Sequence, residues 1–378
     1  MNKAIRPQLL TSALLLALST LAGPASATQP VVTASAKPAA SAAMAPSAED
    51  QDLLDTAQTL FDPLPSAAEM QKIRPFTDAQ VRLGHQLWFE PRLSKGNTVS
   101  CNTCHNLASA GVDNLPTSPG HKGTFGPRNS PTVLNAALLG SQFWDGRAAD
   151  VEEQAGGPLV NPIEMANPDK ESVARKIAGI PEYQILFKEA FPKDDGKIDF
   201  TNITTAIAAF ERTLLTPTRW DSYLQGNIRA LSTQERRGLN AFVENGCATC
   251  HKGVNLGGDS FQKFGLVDGP YWKFIDSNPH DEGRFEVTHK EEDKYFFRVP
   301  GLRNVAATYP YFHNGSVWEL DRAVQIMSQT QLGKTLPKNE VDDIVAFLKA
   351  LSGPVPASAR QLPQLPLSAH ADSQPDNR

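Results

Sequence analysis

Two five-residue stretches constrain this chain more than any other part of its sequence. Residues 101–105 and 247–251 both read Cys-x-x-Cys-His, the pattern for covalent attachment of a c-type haem. The two thiols form thioether bonds to one porphyrin, and the adjacent imidazole can bind the iron as its proximal ligand. The residues are Cys101, Cys104 and His105 in the first copy and Cys247, Cys250 and His251 in the second. We therefore predict two covalently bound haems.

Two other uses of the four cysteines remain as alternatives. Two Cys-x-x-Cys pairs could bind one structural zinc ion, and in an oxidising compartment they could form two disulfides. The pairs are far apart in the sequence, and zinc does not account for a histidine after each of them. Neither use accounts for the histidine and methionine residues that could complete iron ligation. The haem interpretation is therefore preferred.

Composition is that of a soluble globular protein. The chain has 378 residues, of which 40% are hydrophobic and 20% charged, and this length allows two domains plus tails. A net charge of −5 makes nucleic acid an unexpected partner. The 29 prolines and 26 glycines predict long loops between helices.

The first 27 residues have the features of a secretory signal peptide. Lys3 and Arg6 precede an apolar run over residues 9–21, and Ala25-Ser26-Ala27 is a small-residue cleavage site. The run is shorter than the roughly 20 residues of a membrane-spanning helix. We therefore expect a mature periplasmic protein without stable membrane insertion, which suits haem attachment outside the bacterial cytoplasm.

Helical patterns lie between two segments of low complexity. Residues 28–50 and 353–378 are rich in small residues and proline, which predicts a disordered linker and a disordered tail. Thr77 and Ser232 each open a capping box, and apolar residues follow at helical spacing. Each of these helices leads to a Cys-x-x-Cys-His motif, as at the start of a small cytochrome c domain.

The predicted fold is therefore mainly α, with two cytochrome c-like domains, one haem in each, and long loops. No convincing alternating strand pattern is present. We place the domains at residues 51–216 and 217–352, because a helical pattern ends at Leu215-Thr216-Pro217.

Each haem iron has a sixth position to fill. Met327 is the candidate for the second haem, because it follows Cys247 in a helical stretch before the last helix, and a thioether ligand raises the reduction potential. A methionine that only fills a gap in the core is an equal alternative. His121 is the candidate for the first haem, in a loop that flanking glycines allow to move. A surface histidine is the alternative there.

Several longer motifs resemble those of the bacterial di-haem cytochrome c peroxidases. The similar stretches are residues 101–107, 126–135 (GPRNSPTVLN), 143–147 (FWDGR), 302–304 (LRN) and 309–313 (YPYFH). The resemblance runs from about residue 84 to residue 351, and motifs of this length are specific. One departure is His85, where a lysine is more usual, and we assign it no role.

The resemblance implies a low-potential peroxidatic haem in the N-terminal domain and a high-potential His/Met haem in the C-terminal domain. His121 matches the family's removable distal histidine and Met327 its axial methionine. Glu164 matches the distal glutamate, Gln154 a distal glutamine, and Trp144 the tryptophan between the haems.

Two further expectations concern the surroundings of the haems. Phe143, next to Trp144, would help to line the peroxide pocket. Asn129, with the backbone carbonyls of Thr308 and Pro310, matches a calcium site between the domains.

The implied function is the reduction of hydrogen peroxide to water. Electrons from a small cytochrome c or a cupredoxin would enter near the Met327 haem and pass by Trp144 to the His105 haem. Glu164 would act as general acid and base, and reduction of the Met327 haem would release the His121 loop. A homodimer is expected from the family.

Two alternative functions are a di-haem electron carrier without peroxidase activity and a maturase-type oxidase acting on another protein. Such maturases have tyrosine where this chain has Met327, so the methionine favours a peroxidase.

Overall fold

A computed structural model describes residues 47–277, 279–367 and 375 of the chain. The expected signal peptide, most of the 28–50 linker and nearly all residues after 367 lie outside the described residues. No helix in the described ranges is both long enough and apolar enough to cross a membrane.

The described part of the chain is mostly helical, which confirms the predicted fold class. Its α-helices in chain order are α1 (Ala48–Leu60), α2 (Ala67–Ile73), α3 (Asp78–Trp88), α4 (Cys101–Cys104), α5 (Val151–Val160), α6 (Lys170–Ala178), α7 (Pro181–Ala190), α8 (Phe200–Glu211), α9 (Arg219–Leu224), α10 (Thr233–Glu244), α11 (Phe285–Thr288), α12 (Leu320–Leu332), α13 (Lys338–Ala350) and α14 (Ala357–Arg360).

Short 3-10 helices and one small sheet complete the regular structure. The 3-10 helices are Pro91–Leu93, Leu107–Ser109, His121–Gly123, Ala136–Leu138, Pro192–Asp194, Ile228–Ala230, Cys247–Thr249, Tyr271–Lys273, Glu291–Asp293 and Val305–Ala307. Strand β1 (Phe261–Lys263) pairs antiparallel with β2 (Phe296–Arg298), and Phe261 lies opposite Arg298.

Both predicted capping boxes begin helices that lead to a haem motif. Thr77 and Gln80 close the first turn of α3, and Ser232 and Glu235 close that of α10. In each pair the hydroxyl accepts from a backbone N–H that the helix itself cannot satisfy, while the longer side chain accepts from the cap residue. These local interactions fix where the chain enters each haem-binding segment.

The two halves pack their helices around separate hydrophobic cores in the same manner. In the first core α3 crosses α8, and a Cβ added at Gly84 would lie 1.9 Å from the carbonyl oxygen of Ala206. In the second core α10 crosses α13, and a Cβ at Gly238 would lie 1.8 Å from the carbonyl oxygen of Asp343. A glycine therefore allows the close helix contact in each half.

Each end of the described chain packs against the half of the protein that is farther from it in the sequence. Helix α1 inserts Leu54, Ala57 and Phe61 into the second core, where the rings of Phe61 and Trp220 lie 5.3 Å apart. Sequence order had placed this helix in the N-terminal domain. Packing instead joins it to the second core, because the apolar face of α1 finds its partners there.

The residues after the last predicted helix pack on the first core. Ala359 is buried in that core, and the Arg92 guanidinium donates to the carbonyl oxygen of Pro366 at 2.8 Å. The expectation that 353–378 is a disordered tail is therefore wrong for residues 353–367. Their composition gave no such signal, because the surface that they cover lies more than 200 residues earlier in the chain.

One turn occurs twice, at residues 131–148 and 300–317. Asn135 and Asn304 have φ angles of 59° and 62°, and each begins a short 3-10 helix. The side-chain amides of both asparagines donate to the hydroxyl of Thr216, at 2.9 and 2.8 Å. Thr216 is fully buried and lies at the end of the first half of the chain. Its hydroxyl therefore links the two copies of the turn.

Candidate active site

Each Cys-x-x-Cys-His motif lines a separate cavity. The first cavity, of about 510 Å³, is lined by Cys101, Cys104 and His105 together with residues of α5 and α8. The second cavity, of about 270 Å³, is lined by the second motif and by α12. The cysteines and histidine of a motif therefore line one common cavity, as attachment of a haem requires.

The cysteines do not support the zinc or the disulfide alternative. All four are free thiols, and the two pairs lie in different cavities. A structural zinc site takes four ligands in one place, which two pairs of cysteines in separate cavities cannot supply. Residues 47–277 and 279–367 contain no group of three or more His, Cys, Asp or Glu side chains suited to a metal ion.

Both proximal histidines are suited to bind iron. Burial lowers the pKa of His105 and of His251, and an imidazole must be neutral to coordinate a metal. The Nδ1 atom of His251 lies 3.1 Å from the carbonyl oxygen of Leu256. This hydrogen bond fixes the tautomer that leaves Nε2 available as the ligand.

A buried arginine provides a further test of whether these cavities fit a haem. Arg298 is 3% exposed and lines both cavities, and its Nη1 has no hydrogen-bond partner within the described residues. Burial lowers its pKa to about 10. An unsatisfied cation of this kind is costly unless a carboxylate pairs with it, and haem carries two carboxylates. The residues present therefore fit the group.

The catalytic residues expected from the sequence line the first cavity together. Phe143, Gln154 and Glu164 all border it. Glu164 accepts from the amide nitrogen of Asn161 at 3.0 Å, and burial raises the pKa of its carboxyl while the nearby Arg147 charge opposes the rise. A carboxyl with a raised pKa can take up and release a proton closer to neutral pH.

Arg147 was not anticipated as part of this site. Its guanidinium carbon lies 3.5 Å from the ring centroid of Phe143, and it pairs with Asp145 at 2.9 Å. Its position in the residue 143–147 motif was the only sequence signal for it.

His121 takes a position different from that of an iron ligand. Its side chain is buried, yet it does not border the first cavity. Its backbone N–H donates to the carbonyl oxygens of Ile163 and Glu164, at 2.9 and 2.8 Å. The loop that carries His121 therefore rests directly on the loop that carries Glu164.

Trp144 lies between the two cavities and lines both of them. Its indole N–H donates to the carbonyl oxygen of Asn129 at 2.9 Å, which fixes the orientation of the ring. Met327, in α12, lines the second cavity and is partly buried.

The proposed calcium ligands lie beside the second cavity. Asn129, Thr308 and Pro310 all line it, and the Asn129 backbone N–H donates to the carbonyl oxygen of His313 at 2.7 Å. The side-chain amide of Asn129 donates to the carbonyl oxygen of Leu115 at 2.9 Å. The three residues thus share the lining of one cavity, and a calcium ion there stays a prediction.

An ion-pair network that sequence reasoning missed connects the two halves at the cavities. Arg128 pairs with Asp145 from the first half, with Asp281 at 2.6 Å and with Glu286 at 3.0 Å from the second. The arginine and both aspartates are largely buried. Arg128 and Asp281 are 153 residues apart in the chain, so the sequence gave no signal that they would meet.

Comparisons with known proteins identify the family. The family model for di-haem cytochrome c peroxidases matches residues 78–229, and the cytochrome c model matches residues 236–352. Cytochrome c551 peroxidase of Pseudomonas aeruginosa is 47% identical, over 87% of this chain and 94% of that protein. The protein of the same name from Nitrosomonas europaea is 46% identical, over 79% of this chain and 87% of its own length.

The MauG proteins that match this chain are more distant. Methylamine utilization protein MauG of Methylorubrum extorquens is 33% identical, over 80% of this chain and 86% of that protein. Among solved structures, a MauG-like protein associated with microbial copper homeostasis superposes with a TM-score of 0.68 at 28% identity, covering 80% of this chain and 96% of that one. The motifs, the two cavities and these relatives together show that the chain belongs to the di-haem cytochrome c peroxidase family.

Proposed function

We propose that this protein reduces hydrogen peroxide to water with electrons from a small soluble cytochrome c or a cupredoxin. Its family makes it an oxidoreductase of the cytochrome-c peroxidase type. The observation that carries the proposal is the first cavity, where Glu164 and Gln154 face the Cys101, Cys104 and His105 motif. Trp144 borders that cavity and also the one beside Met327.

The haems would be held by residues already placed in the cavities. His105 would hold the iron in the first cavity, and His251 and Met327 would hold the iron in the second. When bound, the haems supply the irons that accept electrons from the donor and deliver them to peroxide. A thioether ligand raises the potential of the second haem, so that electrons enter there.

Glu164 is the proposed general acid and base. It takes a proton from one oxygen of hydrogen peroxide and returns it to the other, so that the O–O bond breaks heterolytically. Its partly buried position raises its pKa, and a positioned group of this type contributes about 10²–10⁴-fold to rate. Gln154 orients the peroxide by hydrogen bonding, and Phe143 closes the side of the pocket.

Activation is proposed to involve the His121 loop. In the oxidised protein His121 would enter the first cavity and block the peroxide site, and reduction of the second haem would release it. The hydrogen bonds from the His121 backbone to the 163–164 carbonyls support this proposal, because a movement of one loop must move the other. Coupling of this kind needs an element with two states that redox state biases.

Three further features belong to the same proposal. Calcium at Asn129, Thr308 and Pro310 would hold the two halves in the competent arrangement. The mature protein would act in the periplasm, after removal of residues 1–27, as a homodimer. These expectations rest on the family resemblance and on the signal-like N-terminal sequence.

The test is peroxide-dependent oxidation of a reduced small cytochrome c, with fully oxidised and half-reduced protein compared. Fast turnover only after half-reduction supports both the peroxidase function and the His121 gate. Fast turnover in both states would support the peroxidase function and exclude the His121 gate. Two intact haems without turnover, with cytochrome and cupredoxin donors alike, would contradict the peroxidase proposal.

A further inference from the structure

Glu211 is a buried carboxyl that the mechanism above does not use. It is the last residue of α8, it is 2% exposed, and it lines the first cavity. Its Oε2 atom has no hydrogen-bond partner within the described residues. A buried polar atom without a partner is costly, so a carboxyl kept in this position calls for a function in the cavity.

The groups around Glu211 do little to offset the free-energy cost of burying its carboxyl. Glu152 faces it from α5, Arg212 follows it in the chain, and Cys101 of α4 lies close enough to interact with its charge. Arg212 directs its guanidinium to Glu152, with which it forms an ion pair. From α3, His85 packs against the ring of Phe210, at 4.9 Å between centroids. With haem attached, Cys101 is a thioether and does not titrate.

These surroundings raise the pKa of the Glu211 carboxyl. Burial raises the pKa of Glu211 to about 8, the Glu152 charge adds to the rise, and the Arg212 charge opposes it. Glu211 therefore changes its charge close to neutral pH, inside a cavity where a charge acts strongly because the dielectric constant is low.

We propose that Glu211 is a redox-linked proton site of the first haem, taking up one proton when the iron gains one electron and releasing it when that electron leaves. The physical reason is mutual: a carboxylate beside the haem stabilises the oxidised iron, and an added electron stabilises the protonated carboxyl. The inference rests on haem attachment at Cys101 and Cys104, and it goes beyond the acid–base function of Glu164.

Among the charged neighbours of Glu211, Glu152 reaches solvent. The Glu152 side chain is 19% exposed, and its Oε2 is a second carboxyl oxygen without a partner within the described ranges. Its other oxygen lies 3.4 Å from Nε of Arg74, whose side chain is half exposed. Exchange through Glu152 would let Glu211 equilibrate with the medium without passing the peroxide site.

This arrangement suits the overall reaction, in which two electrons and two protons convert one hydrogen peroxide into two waters. An electron that enters the first haem alone would add an uncompensated charge to a buried cavity. Uptake of a proton at Glu211 keeps the charge of the cavity constant.

The experiment is spectroelectrochemical titration of the holoprotein between about pH 6 and pH 10, around the Glu211 pKa of about 8. The potential of the lower-potential haem should fall as pH rises, with a slope of up to about 59 mV per unit for one proton per electron. Glu211→Gln should flatten this dependence, whereas Glu211→Asp should keep part of it. Glu153→Gln, which removes an equal charge from the exposed side of α5, should keep the wild-type slope.

Two results would overturn the inference. One is a wild-type potential that does not change with pH. This result is obtained with the wild-type protein alone, so it does not depend on whether a variant folds. The other is a Glu211→Gln protein with the wild-type slope. Peroxide turnover is measured in parallel, so that a flat potential with normal turnover rejects only this inference, and a pH-dependent potential without turnover rejects only the proposed function.

Discussion

Trp144 and His313 occupy equivalent positions in the two copies of one turn, and their ring centroids lie 6.4 Å apart. Phe143 and Phe312, the residues before them, have φ angles of 66° and 71°. The repeated backbone thus presents two aromatic rings to each other between the haem cavities. Both rings border the second cavity, but only Trp144 also borders the first, and this difference identifies it as the proposed electron relay.

Replacement of Trp144 should slow electron transfer between the haems. We expect Trp144→Phe to lower turnover with a protein donor by at least about tenfold, which corresponds to about 1.4 kcal/mol of barrier, while both haems stay attached. Stopped-flow reduction of the first haem through the second measures this step directly. Trp318→Phe is the matched control, since Trp318 is half exposed and lines neither cavity. Equal rates in the wild type and Trp144→Phe would show that electrons take another path.

Glu164→Gln should lower kcat/KM for peroxide by about 10²–10⁴-fold, because a positioned acid–base group is lost. The wild type should lose activity as pH falls, since the base form of Glu164 is required. Burial raises its pKa above the ordinary 4.5, so the loss should begin at a higher pH than for an exposed glutamate.

The pH profile of kcat/KM measures both effects. Glu171→Gln, at an exposed position of α6, should behave as the wild type. Removal of the Arg147 charge should move the acid limb to higher pH, because that charge lowers the Glu164 pKa. A Glu164→Gln enzyme with the wild-type rate and profile would exclude Glu164 as the general base.

Met327→His should lower the reduction potential of the second haem, since imidazole replaces a thioether at the iron. Each 59 mV of decrease makes electron uptake from a given donor about tenfold less favourable. Redox titration with a visible spectrum of the reduced protein measures the change. Met70→Leu is the control, because Met70 is buried in α2 and lines neither cavity. If Met327→His leaves the potential unchanged, Met327 is a packing residue.

His121→Gly should give an enzyme that turns over peroxide without prior reduction, because no imidazole is left to block the first iron. The measurement is turnover by the fully oxidised variant against the half-reduced wild type. Lys122→Gly tests loop flexibility alone, since Lys122 is exposed and already has a φ angle of 56°. A His121→Gly enzyme that still needs half-reduction would place the gate elsewhere.

Arg128→Met should destabilise the protein by about 3–5 kcal/mol, because the largely buried Asp281 loses its cation and Asp145 keeps only its pair with Arg147. Chemical denaturation followed by circular dichroism measures the loss. Arg82→Met should cost at most about 1 kcal/mol, since its pair with Glu189 is exposed. Equal effects of the two substitutions would mean that the Arg128 network does not hold the halves together.

Local signals made the haem sites predictable from the sequence. The Cys-x-x-Cys-His spacing and the capping boxes at Thr77 and Ser232 are complete within a few residues, so they can be recognised without the fold. The family's longer motifs led to Trp144 and Glu164, which the structure places in one cavity. Glu211 had a weaker signal, as a charged residue four positions after Ile207 on an apolar helix face.

The sequence by itself determined the two haem motifs and the helical class, because those signals depend on short-range spacing, whereas His121 and Met327 were expected at the irons from the family resemblance. Only the tertiary structure decided that α1 joins the second core, that residues 353–367 cover the first, and that Arg128 meets Asp281. It also decided that His121 lies outside the first cavity and that Glu211 lies within it. These contacts arise from burial between distant segments, where local composition and periodicity carry no information about the partner.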